Sequence, residues 1–171
     1  AMQRNGEQLL ELVDRLLDLA KLEAGNLLIE ARPIRPDQVV RSVFERFQPL
    51  LTGKPVDLHL DMKGIEDALV WTDPARLRQI LTIIVGNAVK FTPTGRIDVH
   101  AALDEAAQPS MLRVVVTDTG VGIPAEFLPR LFAPFSQADG SLTRRHGGTG
   151  MGLAMAQKIA RQLGGDITVQ S

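Results

Sequence analysis

The sequence predicts an α+β fold: a two-layer α/β sandwich with a mixed sheet and helices on one face, preceded by one long bundle-type helix. Three observations predict it. The chain has 171 residues, the length of one ordinary domain of about 100–200 residues. Apolar residues are 44% and charged residues 23% of the chain, a globular balance that excludes disorder and collagen-like structure. Beyond residue 25, short apolar runs alternate in the order βα, ββα, ββ, loop, α, β, which suits helices packed against one mixed sheet.

Residues 7–24 read as the long helix. Leu9, Leu12, Leu16 and Leu19 step by three and four, and Leu10, Val13, Leu17 and Ala20 form a second stripe beside them. A stripe this wide suits the interior of a multi-helix bundle, with partner helices supplied from elsewhere. Gly25 and Asn26 end it. Leu27–Glu30 reads as a short strand. Pro36 opens a helix with the apolar face Val39, Val40, Val43, Phe44 and Phe47, and Pro49 closes it. Val56–Met62 and Ala68–Trp71 read as strands. Asp73 and Pro74 are an N-cap and first helical residue, opening a helix to about Lys90 that buries Leu77, Ile80, Leu81, Ile84 and Ala88. Arg96–Leu103 and Met111–Asp118 read as a strand pair joined by a polar loop. Residues 133–149 read as a mobile loop. Thr149 or Gly150 opens a last helix that ends at Gly164–Gly165, and Asp166–Gln170 reads as a closing strand.

Composition narrows the chemistry. Nineteen Lys and Arg against 20 Asp and Glu give a net charge of −1, which argues against nucleic acid as a partner. There is no cysteine, so disulfide scaffolds and thiol catalysis are excluded. No apolar run is long enough for a transmembrane helix or a secretory signal core. A cytoplasmic setting fits. Nine of the 15 glycines lie after residue 119, where they suit backbone brought close to a ligand.

Three stretches can carry a site. Ile83, Asn87 and Lys90 share one helical stripe. An asparagine oxygen there can coordinate Mg²⁺ and a lysine can meet phosphate, or both can simply be a solvated helix end. Asp118-Thr119-Gly120-Val121-Gly122-Ile123-Pro124 follows an apolar strand. Its carboxylate suits an amino group such as that of adenine, or it caps a turn in which glycine supplies positive φ. His146-Gly147-Gly148-Thr149-Gly150-Met151-Gly152-Leu153 opens a helix with exposed backbone N–H groups, a setting for anions or a plain hinge. It has neither P-loop nor dinucleotide-fingerprint spacing. Arg144 and Arg145 can clamp phosphates or be solvated. The three histidines show no metal-ligand spacing. Phe127, Phe132 and Phe135, with the prolines among them, read as loop anchors in the core.

Taken in order, these stretches resemble the ATP-binding catalytic domain of sensor histidine kinases, within the wider group of gyrase-like, chaperone-like and mismatch-repair ATPases. Asn87-Ala88-Val89-Lys90-Phe91-Thr92 resembles the N box. Residues 118–124 resemble the first glycine box, and Phe132-Ala133-Pro134-Phe135-Ser136-Gln137-Ala138-Asp139 the F box. Gly147–Leu153 resembles the second glycine box. Leu19-Ala20-Lys21-Leu22-Glu23-Ala24-Gly25 resembles the close of the dimerisation hairpin. The resemblance thus divides the chain into residues 1–25, the last hairpin helix, and 26–171, the catalytic domain.

The resemblance implies roles. Asp118 accepts the adenine amino group. Asn87 coordinates Mg²⁺ between the phosphates, and Lys90 and Arg145 neutralise phosphate charge. Gly120, Gly122, Ile123, His146, Gly147, Gly148, Thr149, Gly150, Met151, Gly152 and Leu153 surround the nucleotide, and Phe132 and Phe135 dock the lid. Asn87, Lys90 and Gln137 are the catalytic positions. The implied cofactors are ATP and Mg²⁺. The implied partners are an acceptor-histidine helix of the same or a partner protomer and a response regulator receiver domain, in a homodimer or kinase heterodimer. The Ser-Gln-Ala-Asp form of the F box resembles that of hybrid kinases, and the intact parent can be membrane-anchored.

Three departures matter, and a fourth, at His146, is minor. Ile83 stands where the family has asparagine and related ATPases glutamate, which predicts weakened nucleotide binding or kinase activity and disfavours a stand-alone ATPase. The phospho-accepting histidine has no counterpart in the chain. The sequence stops at Ser171 where the family continues with a glycine turn and strand, so a fragment is expected. His146 replaces a common tyrosine. The leading expectation is a protein-histidine kinase domain. The rival is a pseudokinase-like module that pairs with another kinase through residues 7–24.

Overall fold

The computed structural model describes residues 28–104, 106, 110–137 and 149–171. The helix read at 7–24, the ending at Gly25–Asn26, and Arg144, Arg145, His146, Gly147 and Gly148 lie outside the described residues.

The elements run β1 (Arg32–Ile34), α1 (Pro36–Phe47), β2 (Val56–Asp61), β3 (Val70–Thr72), α2 (Pro74–Phe91), β4 (Gly95–Asp104), β5 (Met111–Asp118) and α3 (Gly152–Gln162). β2 pairs parallel to β4, and β4 pairs antiparallel to β5, so the three-stranded sheet is mixed as expected. β1 and β3 form a separate antiparallel ribbon.

Alternation along the three strands decides which face the helices cover. Ile97, Val99 and Ala101 of β4 are buried, and Leu58, Leu60, Leu112, Val114 and Val116 pack around them. Val39, Val40, Val43 and Phe47 of α1 and Leu77, Leu81, Val85, Ala88 and Val89 of α2 close this core. Intervening residues face water: Arg96 pairs with Asp98 and His100 with Asp61. A second core lies between α2 and α3, built from Ile80, Met155, Ala156, Ile159 and Ala160, with Ile29, Ile83, Ile84 and Ile167 packed against it.

Both main helices start on chemistry visible in the sequence. Pro36 opens α1, and Arg35 grips Asp37 of its first turn through two contacts of 3.1 Å. Arg35 also donates to the Glu66 carbonyl, tying that start to the loop before β3. Asp73 caps α2 by accepting from Ala75 and Arg76 through one oxygen, at 2.9 and 3.1 Å. Its second oxygen accepts the Glu30 N–H at 3.0 Å. Burial alone would push this carboxyl up, but the three backbone N–H donors outweigh it and hold it below the usual carboxylate range.

Several boundaries differ from expectation. Residues 28–30 are not a strand, and the ribbon begins at Arg32. Arg32 pairs with Thr72, and beyond Thr72 the partner side is the cap and Pro74, which has no N–H, so Glu30 bonds the cap instead. β3 is shifted to Val70–Thr72. On α2, Val85 is buried and Ile84 only half-buried, and Phe44 of α1 is also half-buried. α3 starts at Gly152 rather than Thr149 or Gly150. Gly150 has φ +68, and the Thr149 hydroxyl accepts the Met151 N–H at 3.4 Å.

The closing strand is absent: residues 165–171 form no ladder. Their polar groups turn back onto α3. Asp166 bonds its neighbouring Ile167 N–H and pairs with Arg161, and the Ile167 carbonyl accepts from Gln157. The Ile167 side chain joins the α2–α3 core.

Candidate functional site

The site forms where the C-terminal end of α2, the loop after β5 and the start of α3 meet. α2 ends at Phe91 because Pro93 follows two residues later and disfavours helical backbone at Thr92. Thr92 is buried, its N–H still bonding the Ala88 carbonyl, while its hydroxyl reaches Asp118 Oδ1 at 3.5 Å. Asp118 Oδ1 also accepts the Gly120 N–H at 2.9 Å. Val121 N–H donates to the Phe91 carbonyl at 3.2 Å. The loop is therefore fastened to the end of α2 from both sides.

Asp118 takes the turn-capping role and keeps one oxygen outside it. One oxygen holds the turn. The other makes no hydrogen bond among the described residues, and the residue is exposed. It can accept an amino group without releasing the loop.

The glycines in this corner make close backbone approach possible, but the approaching backbone is the protein's own. A Cβ on Gly120 would stand 2.4 Å from the Phe91 carbonyl oxygen. One on Gly150 would stand 2.8 Å from Phe135 C and from Ser136 O. One on Gly152 would meet Ile83 Cγ2 at 3.3 Å. Gly122 has φ +70, a turn requirement.

Asn87, Lys90 and Ile83 are half-buried on their shared stripe, and Lys90 Nζ lies 4.7 Å from the centre of the Phe91 ring. Ile83 belongs to the apolar α2–α3 contact, so a polar group there would enter packed side chains. Gly152 meets Ile83, and Gln79 Nε2 lies 3.8 Å from Met155 Sδ. The two helices therefore run in opposing directions here, and α3 points its start toward the Asn87–Lys90 end of α2. No side chain caps α3. The N–H groups of its first turn have no intrahelical acceptors and mark its positive end.

The phenylalanines divide. Phe127 is buried with Leu131 beside it, and Arg130 lies over its ring. Phe132 is half-buried, whereas Phe135 is 64% exposed and adopts φ +61, so it is not a core anchor. Its unusual backbone is where Gly150 docks. Gln137 is exposed. Sequence reasoning placed Thr92 and Thr119 inside family boxes but assigned no role to them or to Ser171. Thr119 Oγ1 accepts the Arg96 N–H at 2.9 Å beside Gly95, and Ser171 Oγ accepts the Ile123 N–H at 2.7 Å. For the Thr119 contact the further signal was Gly95, a glycine at the start of a strand.

The residues fit Mg²⁺ only together with phosphate. Asn87 offers one neutral oxygen, whereas Mg²⁺ takes six oxygen ligands and keeps several waters. Among the described residues no cluster of acidic or histidine side chains could complete the shell. A cleft of about 610 Å³ lies elsewhere, between α1 and β2, lined by Arg41, Phe44, His59 and Lys63 among others. None of the helices described is long and apolar enough to cross a membrane.

Residues 72–171 match the family model of histidine kinase-, DNA gyrase B- and HSP90-like ATPases. The chain is 40% identical over 175 residues to the signal transduction histidine-protein kinase BarA of Escherichia coli K12, covering 99% of this chain and 19% of BarA. It is 38% identical over 169 residues to the autoinducer 2 sensor kinase/phosphatase LuxQ of Vibrio harveyi, covering 98% of this chain and 20% of LuxQ. The chain thus spans about a fifth of the length of the curated relatives it matches. Among solved structures, full-length ShkA in complex with AMPPNP superposes with a TM-score of 0.80 at 30% identity, over 96% of this chain and 33% of that one.

Proposed function

The chain belongs to the histidine kinase-, DNA gyrase B- and HSP90-like ATPase family, as an ATP-binding catalytic domain of the two-component sensor kinase type, and from that premise we propose that it transfers the γ-phosphoryl group of ATP to a histidine on a separate helix. The supporting observation is the convergence of Asp118, the Asn87–Lys90 end of α2 and the uncapped start of α3 at one corner.

In this reading Asp118 Oδ2 accepts the adenine amino group. Gly120, Gly122 and Ile123 form the wall beside it. Asn87 supplies one oxygen to Mg²⁺ arriving with the triphosphate. Lys90 and Arg145 offset phosphate charge. The span His146–Leu153 brings backbone N–H groups to the phosphates, and Phe132, Phe135 and Gln137 border it. Asn87 would hold Mg²⁺ on the protein side, and the ion would supply charge neutralisation at the phosphates. The protein's share is positioning and electrostatics for an in-line transfer. Residues 1–25 act as the last helix of a dimerisation hairpin and 26–171 as the catalytic domain. The parent works in the cytoplasm with a response regulator receiver domain as the onward partner.

Titration calorimetry with Mg·ATP tests the binding step, with Asp118→Asn as control. The parent chain binds and the variant binds at least tenfold more weakly, because an amide presents a donor where adenine needs an acceptor. Labelled ATP with a separate acceptor-helix polypeptide then tests transfer. The rival, a regulatory module with vestigial binding, rests on the apolar setting of Ile83. It prevails if the parent binds no nucleotide.

A further inference from the structure

We propose that Ile83 is a positioning residue. Its Cγ2 sets the height at which the first turn of α3 stands over α2, and with it the backbone N–H groups offered to phosphate. The proposal rests on the nucleotide-binding reading above.

The geometry is local and asymmetric. α2 presents Ile80, Ile83 and Ile84 to α3, and α3 presents Met155, Ala156, Ile159 and Ala160 back. Gly152 begins that same α3 face, one turn before Met155 and Ala156. A Cβ at 152 would meet Ile83 Cγ2 at 3.3 Å, closer than side chains ordinarily pack. Gly152 has no positive φ among the glycines that do, so backbone conformation does not demand glycine there. The nearest obstacle to a side chain there is the isoleucine beneath it. Asn87 lies one turn beyond Ile83 on α2. A shift of α3 therefore moves its N–H groups relative to the Asn87–Lys90 end, while the Asp118 loop, fastened to Phe91 and Thr92, stays in place. Phosphate contacts and adenine contacts are thus separable.

The experiment is a set of variants of the full chain, read by calorimetry with a non-hydrolysable ATP analogue and with adenosine, and by thermal denaturation. Gly152→Ala weakens the ATP analogue roughly tenfold, within the coupling range of contacting residues, and leaves adenosine unchanged. Ile83→Ala removes Cγ2, so the double variant Ile83→Ala/Gly152→Ala regains most of that loss. Ile83→Val retains Cγ2, so Ile83→Val/Gly152→Ala does not. Equal rescue by valine and alanine, simple additivity, or equal weakening of both ligands overturns the proposal. Should the unmodified chain bind neither ligand, the functional reading fails and the phosphate part of this proposal with it. The melting temperatures then decide the steric pair alone, by whether alanine but not valine at 83 relieves Gly152→Ala.

Discussion

Gly120→Ala strikes the joint between the loop after β5 and the end of α2. The new Cβ would lie 2.4 Å from the Phe91 carbonyl oxygen, 2.9 Å from its carbonyl carbon and 2.8 Å from Asp118 Oδ1. The carbonyl belongs to a helix end and the carboxylate is bonded, so neither can swing aside. The loop must retreat. That strains two hydrogen bonds, Gly120 N–H to Asp118 and Val121 N–H to Phe91. Overpacking costs about 1–3 kcal/mol. Each weakened bond costs about 0.5–1.5 kcal/mol. With partial relaxation the sum is about 2–4 kcal/mol. At roughly 2–4 °C per kcal/mol for a chain of this size, the melting temperature falls by about 4–16 °C. Circular dichroism on heating measures it, and calorimetry with Mg·ATP measures an accompanying loss of affinity through the displaced Asp118. Gly64→Ala is the control. Gly64 has φ +90 and nothing within 4 Å of its built Cβ, so it costs about 1–2 kcal/mol of backbone strain and leaves affinity alone. A Gly120→Ala variant no less stable than Gly64→Ala, with parental affinity, would refute the reasoning.

Asp73→Ala removes the acceptor for three backbone N–H groups. It is expected to cost about 2–3 kcal/mol, one cap plus one further hydrogen bond, read as a lower urea midpoint with an unchanged slope. Because the Asp73 carboxyl is held below its ordinary value of 3.8 in the folded chain, its contribution is present above that value. It is lost as pH falls through the lower folded value, where the unfolded chain already binds the proton. Stability measured downward from pH 5 therefore declines less steeply in Asp73→Asn than in the parent. Gly150→Ala forces a Cβ against Phe135 and Ser136 at φ +68. It is expected to weaken ATP binding more than adenosine binding, and equal effects on both ligands would contradict the placement of that contact on the phosphate side.

Much of this was legible because it is local. Pro36, the Asp73–Pro74 pair and the alternation of β4 and β5 each carry their own instructions, and the structure follows them. The glycine skew was legible as close approach but not as to what approaches. Gly120, Gly150 and Gly152 admit Phe91, Phe135–Ser136 and Ile83, partners 29, 15 and 69 positions away in sequence. Nothing in a linear pattern names such partners. The same limit applies to residues 166–170, whose alternation suits a strand. Gln157 and Arg161 of α3 capture its polar groups first. Phe135 looked like a core anchor by composition, and a positive φ turns it outward.

The α2 stripe that starts at the α3 contact runs Ile80, Ile83, Asn87, Lys90 and contains no carboxylate or imidazole. Hydrolysis of ATP needs a base within hydrogen-bond reach of the attacking water. The stripe instead offers an amide, a cation and an apolar side chain packed against Gly152. In the proposed reading such groups hold a triphosphate and spread its charge without activating water. A histidine ring nitrogen carries its own lone pair and needs no base, so the same corner suits transfer to histidine. Release of inorganic phosphate from Mg·ATP by the chain alone should therefore stay near the uncatalysed rate. Label should leave ATP only when an acceptor-helix polypeptide is added, and should then appear on that polypeptide. Ile83→Glu, which adds a carboxylate on the stripe, is the informative comparison: if it still binds ATP, it should raise phosphate release without raising transfer. Rapid steady-state phosphate release by the unmodified chain would show that a base lies elsewhere and would overturn the assignment of Asn87 and Lys90 as purely positioning and electrostatic groups.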